Sequence, residues 1–214
     1  MAFLGLKVPH EIGRLLAQID YGEHGKPEST DTFHITVAYF GDELPIEKLA
    51  GIIMAAFKVT SAAKPFTVQT SRVSVFPPHP EHGTVPVICR IDSTGLHDLR
   101  NALLRQFDAD GVEYDKKFPE FKPHVTLAYT EPGDGAEEVT GLDLTIPTIE
   151  WGVGELVLWG GDEGDSILVV TFPFALAPSP EPPKREALHR AMVRAALWHH
   201  GASQGFSRPR LPCR

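Results

Sequence analysis

Cysteine is scarce in this chain, and its N-terminal apolar run is short. Two cysteines, Cys89 and Cys213, occur among the 214 residues, and they form no Cys-x-x-Cys pair. This pattern implies neither a disulfide framework nor a zinc cluster, and it predicts a reducing compartment. The run Ala2–Val8 is too short to cross a membrane, and no basic segment precedes it as in a signal peptide. We therefore predict a cytoplasmic protein with no membrane attachment.

Positive charge is also limited. The net charge is −8, although the segment after Ala175 holds seven Lys and Arg against two Glu, so the preceding part is more acidic still. Proteins that follow long phosphate backbones use clustered Lys and Arg. If the protein binds nucleic acid, we therefore expect it to hold a short piece or an end. Hydrophobic residues at 42% and charged residues at 22% indicate a globular domain.

One six-residue pattern occurs twice. Residues 34–39 read His-Ile-Thr-Val-Ala-Tyr, and residues 124–129 read His-Val-Thr-Leu-Ala-Tyr. Side chains alternate between the two faces of a strand, so the histidine and threonine of each copy share one face. The aliphatic residues between them then point into apolar packing, and Tyr39 and Tyr129 are predicted to lie on that same apolar face as core residues. The matched pair predicts a duplicated site.

Strand and helix patterns surround the two motifs in the same order. The apolar periodicities predict three helices, over His10–Asp20, Pro45–Lys58 and Thr94–Asp108. They predict seven strands, over Ala2–Val8, Phe33–Phe40, Phe66–Phe76, Val85–Ile91, Phe121–Tyr129, Trp151–Trp159 and Asp165–Phe174. We therefore predict an α+β domain over residues 1–176, made of two interleaved lobes that each bring one His-x-Thr to a shared cleft.

The C-terminal part differs in composition from the predicted domain. Residues 177–183 (APSPEPP) form a proline-rich linker that is expected to be stiff and extended. Residues 184–214 form a basic tail whose first half has an amphipathic pattern. Two interpretations stay open for this tail: a helix that docks on nucleic acid or on a protein partner, or a poorly ordered extension.

Two His-x-Thr pairs that face one phosphodiester supply the groups its cleavage needs. A histidine near its ordinary pKa of about 6.5 changes protonation easily at neutral pH. One neutral ring takes a proton from the attacking oxygen, and the other, protonated ring gives a proton to the leaving oxygen. Thr36 and Thr126 donate hydrogen bonds to the non-bridging oxygens. This set needs no metal or other cofactor. We assign the base to His124 and the acid to His34, with the reverse left open by the symmetry of the motifs.

Residues 33–39 (FHITVAY) and 121–129 (FKPHVTLAY) resemble the paired His-x-Thr motifs of the two-histidine (2H) phosphoesterases, which include bacterial 2′-5′ RNA ligase-like proteins and cyclic phosphodiesterases. The resemblance covers roughly Ala2–Phe174 in element order, but its specificity lies in the two motifs. It implies a bilobal fold with antiparallel-type sheets, a pseudo-twofold cleft and the helices outside. It also implies the catalytic set His34, Thr36, His124 and Thr126, and action on 2′,3′-cyclic phosphates or 2′-5′ linkages, usually without metal.

Three further residues are candidates for contact with the substrate. Lys122 could meet a phosphate at the cleft rim, although a solvated loop lysine is the ordinary alternative. Phe76 and Trp159, near strand ends, could stack a base, although packing is the ordinary role of each. His79 and His82 form a His-x-x-His in a proline-rich loop, but without a third ligand they predict no metal site.

The sequence therefore predicts a monomeric, metal-independent phosphodiesterase that acts on a small nucleotide or an RNA end. The favoured reaction is hydrolysis of a 2′,3′-cyclic phosphate or of a 2′-5′-type linkage. A narrower alternative is the degradation of a cyclic or 2′-5′ oligonucleotide signal. An alternative of another class is a non-catalytic module that binds a nucleotide or RNA. The two intact His-x-Thr copies favour the enzyme, because a binding module needs no pair of proton-transfer groups.

Overall fold

The computed structural model describes residues 2–22, 25–41, 46–117, 120–132, 141–160 and 167–175. Three helices occur in these ranges: α1 (His10–Leu16), α2 (Ile46–Thr60) and α3 (Thr94–Asp110). The strands are β1 (Ala2–Lys7), β2 (Lys26–Pro27), β3 (His34–Gly41), β4 (Phe66–Val75), β5 (Val85–Asp92), β6 (His124–Thr130), β7 (Asp143–Thr145), β8 (Glu150–Val153), β9 (Glu155–Gly160) and β10 (Ile167–Pro173). A 3₁₀ turn at Thr30–Thr32 precedes β3.

The strands form two antiparallel sheets. The first has the order β10-β9-β1-β3, and the second has the order β2-β6-β5-β4-β7, with β8 also paired to β4. Each His-x-Thr strand therefore pairs with the strand that opens its half of the pattern, β3 with β1 and β6 with β5. The Cα atoms of β3 and β6 approach within 8 Å of each other. The predicted α+β fold with two antiparallel sheets is confirmed.

The helices bury the apolar faces that their periodicity predicts. In α3 the buried residues are Leu96, Leu99, Leu103 and Phe107. The helix begins at Ser93, whose hydroxyl accepts a hydrogen bond from the amide of Leu96, and it ends at Gly111 with φ +69°. Helices α2 and α3 pack against each other, and the core they cover includes buried residues of both sheets.

Two predicted elements differ from the structure, and two short strands were not predicted. The single strand Trp151–Trp159 is wrong, because the chain breaks at Gly154 and gives β8 to the second sheet and β9 to the first. The helix expected over His10–Asp20 ends at Leu16. The two-residue strand β2, which the patterns did not predict, lies between the first predicted helix and the first His-x-Thr strand and adds to the edge of the second sheet beside β6. The short strand β7 was also not predicted, since three residues carry too little pattern to be recognised.

A β-bulge interrupts both His-x-Thr strands at the same place. On β3, Thr36 pairs with Gly5 and Ala38 pairs with Leu4, so Val37 has no partner. On β6, Thr126 pairs with Ile88 and Ala128 with Val87, so Leu127 has none. An extra residue reverses the alternation of side chains beyond it. Each tyrosine is therefore turned to the face of its histidine and threonine.

The tyrosines consequently differ from their predicted core role. Tyr129 is 40% exposed, and its hydroxyl shares a hydrogen bond with that of Thr126. Tyr39 is half-buried and pairs with Phe3 across the sheet. The face assignment of the motif histidines and threonines holds, because the residues between and after them are buried: Ile35, Val37, Val125 and Leu127.

The carbonyl of each bulged residue accepts a hydrogen bond from a group distant in sequence. The Val37 carbonyl accepts a hydrogen bond of 3.2 Å from Nε of Arg100, on α3. The Leu127 carbonyl accepts a hydrogen bond of 2.9 Å from the amide of Glu28, just after β2. A bulge leaves a backbone group without a ladder partner, and a buried carbonyl needs one. Arg100 therefore attaches α3 to the first sheet, and Glu28 extends the pairing of β2 with β6 within the second sheet.

The linker at 177–183 and the tail at 184–214 lie outside the described residues, so their predictions stay untested. Within the described ranges, none of the helices combines the length and apolar character that a membrane crossing requires.

Candidate functional site

The two motif histidines are held in the same way. Nδ1 of His34 lies 2.7 Å from the carbonyl oxygen of Thr32, and Nδ1 of His124 lies 2.7 Å from that of Lys122. A carbonyl only accepts, so Nδ1 carries the hydrogen in both rings. Nε2 is then the nitrogen free to exchange a proton with a substrate. Each ring is thus fixed in one tautomer by the backbone two residues earlier.

Both imidazoles lose protons more easily than an exposed histidine does. Burial lowers the pKa of His34 and of His124, and the hydrogen bond from each Nδ1 to a carbonyl opposes this only in part. The neighbouring charges differ. Glu28 favours the protonated form of His34 and so raises its pKa, whereas Arg90 and His34 itself act against the protonated form of His124 and lower its pKa. The two histidines therefore have different electrostatic surroundings, although their motifs are nearly identical.

The threonines lie on the same strand faces as the histidines. Thr36 and Thr126 are half-buried, two residues beyond each imidazole. Tyr129 adds a second hydroxyl beside Thr126. Hydroxyls at these positions can donate hydrogen bonds to oxygens of a bound anion.

Aromatic rings support His34. The ring of Phe3 stacks on the imidazole with centroids 4.6 Å apart, and the indole of Trp159 also stacks on Phe3, with centroids 5.1 Å apart. The centroids of Trp159 and His34 are 5.7 Å apart. Phe3 is only 1% exposed, whereas Trp159 keeps part of its surface open. The candidate Trp159 therefore lies beside the first motif and packs on Phe3. Sequence reasoning missed Phe3, and we call Phe3 and Trp159 together the aromatic pair.

The surroundings of His124 are basic instead. Phe76 meets its ring edge-to-face at 4.7 Å, and the guanidinium of Arg90 lies over Phe76 at 4.9 Å. Arg90 is the direct cross-strand partner of His124. Lys122, the third candidate for substrate contact, supplies the carbonyl that holds His124 and lines an adjacent pocket. Sequence reasoning missed Arg90, because a single arginine in a strand belongs to no motif and only the pairing register shows its neighbour.

The histidines of the proline-rich loop are apart from this group. The rings of His79 and His82 stack with centroids 3.8 Å apart, and Nδ1 of His82 lies 2.6 Å from the hydroxyl of Thr84. No cluster of three or more His, Cys, Asp or Glu in the part of the chain that the structure describes could hold a metal ion.

Two antiparallel sheets, each presenting a histidine and a threonine from one bulged strand, define a duplicated two-histidine protein. A family model described as the 2′-5′ RNA ligase superfamily matches residues 9–165. The chain belongs to this superfamily, which fits the resemblance to the 2H phosphoesterases. Among curated proteins, none matches the chain.

Several solved structures share the fold. TT0787 of Thermus thermophilus is 18% identical, with a TM-score of 0.62 over 81% of this chain and 97% of its own. A structure described as a phosphoesterase is 22% identical, with a TM-score of 0.57 over the same shares of the two chains, 81% and 97%. LigT of E. coli in complex with 3′-AMP is 19% identical, with a TM-score of 0.57 over 81% of this chain and 97% of its own. At these identities the likeness is one of fold.

Proposed function

We propose that this protein is a metal-independent phosphodiesterase that hydrolyses 2′,3′-cyclic phosphates or 2′-5′-type linkages of small nucleotides or RNA ends. The observation that carries the proposal is the pair of imidazoles with Nδ1 tied to a carbonyl and Nε2 free. Two such rings, on strands that approach each other, can act on opposite sides of one phosphorus atom. Membership of the superfamily supports a phosphoesterase.

In the reaction, neutral His124 takes a proton from water at Nε2 while the water oxygen bonds to phosphorus. Protonated His34 gives its Nε2 proton to the leaving ribose oxygen as the bond from phosphorus to that oxygen breaks. This assignment follows the local charges, since Glu28 favours a protonated His34 and Arg90 favours a neutral His124. At the end the two rings have exchanged protonation states, and exchange with solvent restores them.

Negative charge develops on the non-bridging oxygens during the attack. In the proposed reaction Thr36 and Thr126 donate hydrogen bonds to these oxygens, and Tyr129 adds a hydroxyl beside Thr126. Donors fixed in place before the reaction stabilise such charge without reorganising.

The aromatic pair beside His34, Phe3 and Trp159, supports a nucleotide as the substrate. The half-exposed indole of Trp159 rests on Phe3 and can stack a base. LigT of E. coli, which shares the fold, has been crystallised with 3′-AMP, with ATP and with NADP+. We extend nucleotide binding to this chain as part of the proposal.

The test is product chromatography in the presence of EDTA. The substrates are 2′,3′-cyclic nucleotides, 2′-5′ and 3′-5′ dinucleotides, and cyclic dinucleotides. We expect cleavage of a 2′,3′-cyclic phosphate or a 2′-5′ linkage, and loss of at least about 100-fold in kcat for His34→Ala or His124→Ala. The matched control is His10→Ala, an exposed histidine that pairs with Asp31 and belongs to neither motif, which should retain activity. Full activity in either motif variant would refute the mechanism, and binding without cleavage would favour the nucleotide-binding module.

A further inference from the structure

A pocket of about 700 Å³ opens on the second sheet beside His124. Its walls include three cations, Arg72, Arg90 and Lys122. Two carboxylates, Asp92 and Asp143, also line it, so the lining is net positive in a chain whose net charge is −8. We propose that this pocket binds a second phosphate of the substrate, one nucleotide away from the linkage held between the histidines, with Arg90 as its main ligand. This inference rests on the proposed function and specifies its substrate as a nucleotide with at least two phosphates.

The three cations differ in how far protein carboxylates neutralise them. Arg72 pairs with Asp143 at 3.2 Å, and Lys122 pairs with Glu120 at 2.9 Å. Among the described residues, Arg90 has no carboxylate within ion-pair distance. Of the three cations, Arg90 is therefore the least neutralised by protein carboxylates and the best suited to bind an external anion.

Arg90 is also held in place. Its Nε donates a hydrogen bond of 3.0 Å to the hydroxyl of Ser74, and its guanidinium lies over the ring of Phe76. These contacts use Nε and one face of the group and leave the two terminal nitrogens for a ligand. A fixed planar fork of this kind suits the bidentate binding of a phosphate.

The charges around Arg90 also favour an anion as the ligand. Burial and the charge of Arg72 both lower the pKa of Arg90, and Glu120 and Asp143 compensate only in part. An arginine nevertheless stays charged in a protein. A bound phosphate would relieve the repulsion between the two guanidinium groups, whereas a neutral ligand would not.

Arg90 is close enough to His124 for one dinucleotide to reach both. Phe76 contacts both residues, with its ring centroid 4.9 Å from the guanidinium carbon of Arg90 and 4.7 Å from the imidazole centroid of His124. The guanidinium carbon and the imidazole centroid are therefore less than about 10 Å apart. Successive phosphates in a nucleic acid are separated by a single nucleoside. The pocket also contains Asp92 and Asp143, and Asp143 is already paired with Arg72.

The test is isothermal titration calorimetry with adenosine 3′-monophosphate and adenosine 3′,5′-bisphosphate, which differ by the second phosphate. We expect the protein to bind the bisphosphate about tenfold or more tightly than the monophosphate. Arg90→Gln should remove most of this preference, Arg72→Gln should reduce it, and Arg90→Lys should retain part of it. The matched control is Arg105→Gln, which removes an exposed charge from α3 and should keep the full preference.

Two results would overturn the inference: equal affinity of the unmodified protein for both nucleotides, or an unchanged preference in Arg90→Gln. Since the titration involves no turnover, it separates this inference from the proposed function. If the protein prefers the bisphosphate but cleaves no phosphodiester, the inference about the pocket holds and the proposed function is wrong. If it cleaves a phosphodiester but shows no preference, the proposed function holds and the inference about the pocket is wrong.

Discussion

Replacing Gly25 by alanine is expected to loosen the attachment of β2 to the second sheet. Gly25 has φ +93°, and a Cβ built on it would lie 2.8 Å from Oγ1 of Thr130 and 2.9 Å from the carbonyl oxygen of Tyr129. The second contact is with backbone, which cannot turn aside as a flexible side chain can. Alanine would therefore push β2 away from β6 and weaken the hydrogen bond from the Glu28 amide to Leu127.

A second glycine allows the loss of unfolding free energy in Gly25→Ala to be divided into two parts, backbone strain and the steric contact with β6. Gly141 has a similar φ of +88°, but a Cβ there would meet nothing within 4 Å. Alanine at either position carries a backbone strain of about 1–2 kcal/mol, and the smaller effect on the unfolded chain is shared. Gly25→Ala additionally weakens two or so backbone hydrogen bonds, each worth about 0.5–1.5 kcal/mol. The two variants should differ by roughly 1–3 kcal/mol in the free energy of unfolding.

The assay is urea denaturation of both variants beside the unmodified protein, with amide hydrogen exchange at Glu28 as a local readout. Gly25→Ala should have the lower midpoint and the faster exchange, and Gly141→Ala should exchange at this amide like the unmodified protein. Equal midpoints for the two variants, with Glu28 still protected, would refute the contact argument.

Three more predictions concern catalysis and the attachment of α3 to the first sheet. Because the pKa values of His34 and His124 are both lowered from 6.5, the protonated acid is lost early as pH rises, and kcat/KM should peak below pH 6.5; a pH–rate profile that peaks above pH 7.5 would contradict this. Tyr129→Phe removes a hydroxyl beside the site and should lower kcat by about tenfold while the midpoint of urea denaturation stays near that of the unmodified protein; unchanged kinetics would exclude a role for it. Arg100→Met removes the donor to the bulged Val37 carbonyl and should cost about 2 kcal/mol of unfolding free energy, measured by urea denaturation; a loss below about 0.5 kcal/mol would show that water replaces it.

The sequence predicts which face of a strand a side chain occupies only over a few neighbouring residues. The alternation of strand side chains is reliable over three residues, so the common face of His34 and Thr36 could be predicted. The same alternation gives the wrong face for Tyr129, because the bulge at Leu127 lies between Thr126 and Tyr129. The residue types of this segment do not indicate a bulge. Both bulges are set by pairing with another strand, and pairing register is a property of the folded chain.

Long-range pairing also explains the break in the segment Trp151–Trp159. Its alternation continues through Gly154 as if one strand were present, but its two halves join different sheets. The choice depends on which strands have a free edge nearby, and no local signal carries that information. Arg90 is the same kind of case, since its place opposite His124 arises from the register of β5 and β6.

The interleaving of the two sheets has a consequence for biosynthesis. The first sheet begins with β1, yet β9 and β10, which complete it, come after the whole second sheet has been made. Strands distant in sequence pair slowly, because a long loop must close before their contacts form. A growing chain can assemble β4, β5 and β6 while β1 still has an open edge. Until residues 155–173 emerge, that edge is exposed to other chains, and its protection is a task for the folding machinery of the cell.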